Sequence, residues 1–243
     1  MKNERGNALF FILIAVALLG LLTATLTRNS STVDQAGDFE QTRISASKIL
    51  NTAKSIENAV QELQSRGCSE NDISFENTTV SGYTNAGSPS DGSCSVFETN
   101  GTGLTYQTPK TGWLDTSKSA QSNYGEWVFT ANNYVVGVGT GTDTSGDATP
   151  SNKDLIVILP YISSTLCAAV NDLVGVTNPS GAPPTNVTTS GLTPKYTGTF
   201  SAGDHIKDTS GTDALNGKES GCFEGGGIPA SGTYHFYQVL IAR

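Results

Sequence analysis

The sequence predicts an α+β fold on three observations. An uncharged apolar run lies near the amino terminus, a stripe of apolar residues at helical spacing follows it, and the remainder alternates short β-branched or aromatic runs with Gly, Ser, Thr and Asn. The expected arrangement is a long N-terminal helix, transmembrane and then amphipathic, packed on a small antiparallel sheet whose loops are tied by disulfides. At 243 residues there is room for one ordinary domain and an appendage.

The apolar run comes first. Gly6 to Thr27 carries no charge and is bounded by Arg5 and Arg28, and its apolar heart runs from Ala8 to Leu26. At 1.5 Å per residue such a stretch spans roughly 28 Å, close to the ~30 Å hydrocarbon core of a bilayer, and backbone groups in lipid must bond within the segment. A transmembrane helix over 7–28 is the expectation. Lys2 and Arg5 precede it, and Asp34, Asp38 and Glu40 follow, so the positive-inside bias puts the amino terminus in the cytoplasm and the rest outside. A cleaved secretory signal fits less well, because Ala24 before Leu26 makes a poor small-x-small site.

The second helical signal lies in 29–67. Phe39, Ala46, Ile49, Ala53, Ile56, Val60 and Leu63 recur at heptad-like spacing, with Arg43, Lys48, Lys54, Glu57 and Glu62 largely on other faces. Gly67 is a natural stop. Packing of this stalk on a sheet is favoured over an independent coiled coil, since only about three heptads are present and Ala fills two of the sites.

Residues 68–243 read as a β-rich extracytoplasmic domain. A hairpin is expected over Gly125–Gly139, turning at Asn132 and Asn133; a central strand over Asp154–Leu159, stopped by Pro160; a last strand over Thr233–Ala242; and a short one at Leu104–Gln107. Ser163 or Ser164 caps a helix that ends at Gly175. Val176–Gly232 has few large apolar side chains and is expected to be an exposed contact loop.

Four cysteines all follow the apolar run, and an even count in an oxidising compartment favours disulfides. Three connectivities exist. Cys68–Cys94 with Cys167–Cys222 is favoured because each closes a Gly/Ser-rich loop back onto a helix.

The chemistry of catalysis is missing from the sequence. The only histidines, His205 and His235, lie in a polar loop and on the last strand with nothing to place either beside an activated Ser or Cys, so an enzyme is not expected. A net charge of −8 with no Lys/Arg cluster argues against nucleic acid. No cofactor is expected beyond calcium, for which Asp143, Asp147 and Asp154 are the weak ligand candidates, followed by Asp204, Asp208 and Asp213.

The six residues Met1–Gly6, basic at Lys2 and Arg5 and ending in Gly before an uninterrupted apolar helix, resemble the class III leader of type IV prepilins and type II secretion pseudopilins. The resemblance covers residues 1 to about 67. It implies a leader peptide at 1–6, cleavage between Gly6 and Asn7 by a prepilin peptidase, methylation of Asn7, and a pilin-like fold. It further implies a bacterial inner-membrane protein, single-pass with a periplasmic domain, that assembles with other pilin-like subunits into a filament and reaches the cell surface there. Phe11 stands where most members of the family carry Glu as the fifth mature residue; the subunit at a pseudopilus tip also lacks that Glu, so the resemblance implies a minor or tip-type role. The alternative is a periplasmic single-pass protein that binds a ligand or partner and forms no filament.

Overall fold

The computed structural model describes residues 5–141, 152–186, 194–201, 203–208 and 211–243. The chain divides into two compact units, Met1–Thr42 and Arg43–Arg243. Helix α1 is Arg5–Ser65 and helix α2 is Ser164–Val174; the strands are β1 Val128–Val135, β2 Asp154–Ile162, β3 Thr185–Asn186, β4 Asp204–Ile206, β5 Ser220–Gly225 and β6 Tyr234–Ile241.

The six strands form one sheet in the order β3-β5-β6-β2-β1-β4. The pairs β1/β2, β2/β6 and β5/β6 are antiparallel, while β1/β4 and β3/β5 are parallel. The sheet curls until its edge strands nearly meet, and Lys207 N, just past β4, donates to Asn186 Oδ1 of β3 at 2.7 Å. This overturns the expected pilin-like architecture, a long helix laid on a small antiparallel sheet: the sheet is mixed and barrel-like.

Both faces of the sheet are dry. On one, Phe129, Leu155, Val157, Leu159, Phe236 and Leu240 share a core with α2 and with the part of α1 beyond Arg43. On the other, Val128, Ile156, Ile158, Phe223, Tyr237 and Val239 form a second core enclosed by the curl. The period of two in a strand sends neighbouring residues of β2 to opposite cores. That is why Leu155 to Leu159 reads as one unbroken apolar run.

The α1 stripe is buried at Ala46, Ile49, Ala53, Ile56, Val60 and Leu63, whereas Phe39, in the first unit, is 61% exposed. Beside the stripe, buried Glu57 accepts a hydrogen bond from Gln238 Nε2 of β6 at 2.9 Å, and its other oxygen accepts one from Gln61 at 3.0 Å. A buried carboxylate is costly unless bonded in this way.

Several expected elements are displaced. The Gly125–Gly139 hairpin is instead the single strand β1, because Asn132 and Asn133 are buried within it and the Asn133 amide donates to Asn132 rather than turning the chain. Asn132 Oδ1 accepts from Thr130 Oγ1 and from Asn133 Nδ2, each at 2.7 Å. Gly203 lets β4 come this close, since a Cβ there would sit 1.6 Å from the Asn132 carbonyl oxygen. Strand β2 does not stop at Pro160; it bulges between Pro160 and Ile162 and continues. No strand forms at Leu104–Gln107. Val176–Gly232 is no simple displayed loop: it supplies β3, β4 and β5.

Helix α2 has its N-cap at Ser163, whose Oγ accepts from Leu166 N at 3.3 Å, and its C-cap at Gly175 with φ of 69°. It is fastened to β5 twice. Cys167 is disulfide-bonded to Cys222, and buried Asn171 pairs with the Cys222 backbone, accepting at 2.8 Å and donating at 2.9 Å. The other disulfide is Cys68–Cys94.

Among the described residues no helix is long and apolar enough to cross a membrane. The transmembrane segment at 7–28 and the single-pass inner-membrane location are corrected accordingly.

The Cys167–Cys222 bridge spans 55 residues of sequence, and loop-closure entropy gives it about 4 kcal/mol. Replacing both cysteines by Ser is expected to lower the unfolding free energy of the full chain by about that amount in urea titrations. Asn171→Ala should cost a further ~1–3 kcal/mol, because it strands the buried Cys222 N–H and C=O.

Candidate functional site

The feature that most needs a function is the first unit's helix surface. Phe10, Phe11, Ile12, Leu13 and Ile14 are consecutive, and all are between 40% and 63% exposed. At 100° per residue, five in a row pass right round a helix, so the stretch has no polar side to turn to water. Val16, Leu18, Leu19 and Leu21 continue it at 61–65% exposure. Thr23 adds little polarity, since its hydroxyl is back-bonded to the Leu19 and Gly20 carbonyls at 3.0 and 2.9 Å. A contiguous run of exposed apolar residues of this length is uncommon on a soluble monomer. Leu is a good helix former, Ile and Phe are tolerated, and no Pro or charge interrupts them.

The other residues singled out from sequence are scattered. Gly6 and Asn7 fall within α1, and the surroundings of Asn7 lie outside the described residues. Asp143 and Asp147 also lie outside the described residues. Asp154 is fully buried at the start of β2, and both its oxygens are taken by backbone donors: Val135 N at 2.8 Å and Arg243 N at 2.9 Å. Its role is to clamp the end of β1 and Arg243, two residues past β6, and a calcium loop is not what surrounds it. Among the described residues no group of three or more His, Cys, Asp or Glu is placed to hold a metal.

Of the two histidines, one meets a carboxylate and the other a threonine hydroxyl. His205 Nδ1 pairs with Asp204 Oδ1 at 2.6 Å. His235 is buried, its Nε2 2.7 Å from Thr233 Oγ1, and burial holds its ring far below the usual range, at about 3, so that it is neutral.

No protein-family model, curated protein or solved structure matches this chain.

Burial pushes the Asp154 carboxyl up to about 6, against the two backbone N–H donors and the Lys153 and Arg243 charges, which favour ionisation. The folded state therefore holds this proton more tightly than the unfolded chain, whose value is 3.8. The stabilisation linked to it is full below pH 4 and is lost as pH rises through 6. Calorimetry of wild type against Asp154→Asn is expected to show the melting-temperature advantage of the wild type shrinking from pH 4 to pH 7. An advantage that grows with pH would contradict the raised carboxyl.

Proposed function

We propose that this chain is a non-enzymatic structural subunit of a filament of the type IV pilus or pseudopilus kind, in a minor or tip-type position. In the filament, the apolar stretch Phe10–Leu21 of α1 is covered by helices of neighbouring subunits. The observation that carries the reading is the exposure of that stretch on every side of the helix. An all-round apolar helix is stable only where its whole circumference is dry, and a bundle of like helices supplies that.

Two further features support the reading. Met1–Gly6 has the length, basic residues and terminal Gly of a leader cut by a prepilin peptidase, which would leave Asn7 as the new amino terminus. Phe11 puts an apolar ring where a repeating subunit would need a carboxylate to meet a neighbour's amino terminus. A buried terminus left unpaired is costly, so a station with no such neighbour suits this residue. Arg43–Arg243, with its two cores and two disulfides, then serves as the displayed part.

Co-expression with a prepilin peptidase is expected to shorten the chain by Met1–Gly6, read by intact mass. An uncut chain that stays out of sheared filaments would refute the proposal. Leu13→Asp, which places a charge in the covered stretch, should cut recovery in the filament fraction by at least ten-fold. The melting temperature should stay unchanged, because Leu13 is exposed.

A further inference from the structure

A cavity of 260 Å³ opens at one end of the barrel-like sheet, where β2 ends and where β1 and β6 begin. Val128 and Ile158, members of the enclosed core, lie at its base, and Tyr161, Pro229, Thr233 and His235 are on its walls. Barrel mouths are among the places where small ligands bind, and this volume falls just below the ~300 Å³ at which drug-sized pockets begin. A single ring is the size of occupant it admits.

Two features distinguish it from a packing gap. Tyr161 has a φ of 61° inside the β2 bulge, a left-handed conformation that costs a bulky residue of order 1–3 kcal/mol. Bulges and strained residues of this kind re-aim side chains at binding sites. The bulge also places a cation. The Tyr161 carbonyl accepts from Asp115 N at 2.8 Å, and Asp115 caps the short 3₁₀ turn Thr116–Lys118 by accepting from Ser117 N. Lys118, the last residue of that turn, is on the cavity wall; among the described residues it makes no ion pair within 4 Å, and the Asp115 carboxylate is the charge that feels it.

The opposite wall is uncharged. Thr233 Oγ1 donates to the Ala230 carbonyl at 2.5 Å, so towards His235 it acts as acceptor and the imidazole proton is on Nε2. The ring presents aromatic surface, edge-on to Tyr161 at 5.3 Å between centroids.

We propose that this cavity binds a small monocyclic carboxylate, its ring against Tyr161, Pro229 and His235 and its anionic group paired with Lys118. Charge complementarity selects the anion, because Lys118 is the cation of the wall. The neutral aromatic remainder selects an apolar ring over a second charge. The site is independent of the filament reading, since every residue named is in the second unit.

Sodium benzoate is the probe. Chemical-shift mapping of the isotope-labelled full chain is expected to show saturable shifts at Lys118, Tyr161, Thr233 and His235. Benzyl alcohol, which keeps the ring without the charge, should bind roughly five-fold more weakly, and Lys118→Gln should lose a similar factor for benzoate with an unchanged melting temperature. No saturable shift at these residues, equal binding of the alcohol, or wild-type affinity in Lys118→Gln would each overturn the proposal.

Discussion

Strand β2 has no face for water, and the rest of the second unit follows from that. Leu155, Val157 and Leu159 point one way and Ile156 and Ile158 the other, all at 1% exposure or less. Each side must be covered by something apolar. The α1 segment after Arg43, with α2, covers the first; the curl of the sheet on itself covers the second. Burying five such side chains is worth roughly 1.5–3 kcal/mol each, which outweighs the strain of a bulge or a positive φ elsewhere in the sheet. At its two ends β2 stops being purely apolar. Asp154 clamps backbone at one end, and the Pro160–Tyr161 bulge opens the cavity at the other.

What could be read in the sequence was whatever rests on side-chain periodicity. The β2 run, the 46–63 stripe and the Ser163 and Gly175 caps of α2 are patterns of residue type at fixed spacing. What could not be read rests on partners distant in sequence. Asn132-Asn133 has turn chemistry, but inside β1 the two side chains bond each other while β4 slides past at Gly203. Pro160 ends a strand only if a ladder N–H is needed there, and the bulge removes that need. Strands β3 and β4 are two and three residues long and pair through backbone, so Val176–Gly232 had no apolar signature to announce them. The parallel pairings that turn an expected antiparallel sheet into a mixed, nearly closed one enter through those same short strands.

The membrane span failed for a different reason. Hydropathy summed over Ala8–Leu26 measures composition, whereas among the described residues no helix is long and apolar enough to cross a membrane. Of the candidate sites, the apolar helix was legible because it is local. The cavity was not, since Lys118 and Tyr161 are 43 residues apart and are brought to one place by backbone bonds between 113–115 and 161–163, Asp115 N to the Tyr161 carbonyl among them.

The apolar surface of α1 is where function concentrates on the proposed reading, because the second unit covers its own apolar faces and Phe10–Leu21 does not. Photo-crosslinking tests this most directly. With Phe11 replaced by p-benzoylphenylalanine, illumination of assembled filaments should yield a covalent adduct to the N-terminal helix of another subunit, and the unassembled chain should yield none. Filaments that contain the labelled chain yet give no protein adduct at position 11 would contradict the proposal.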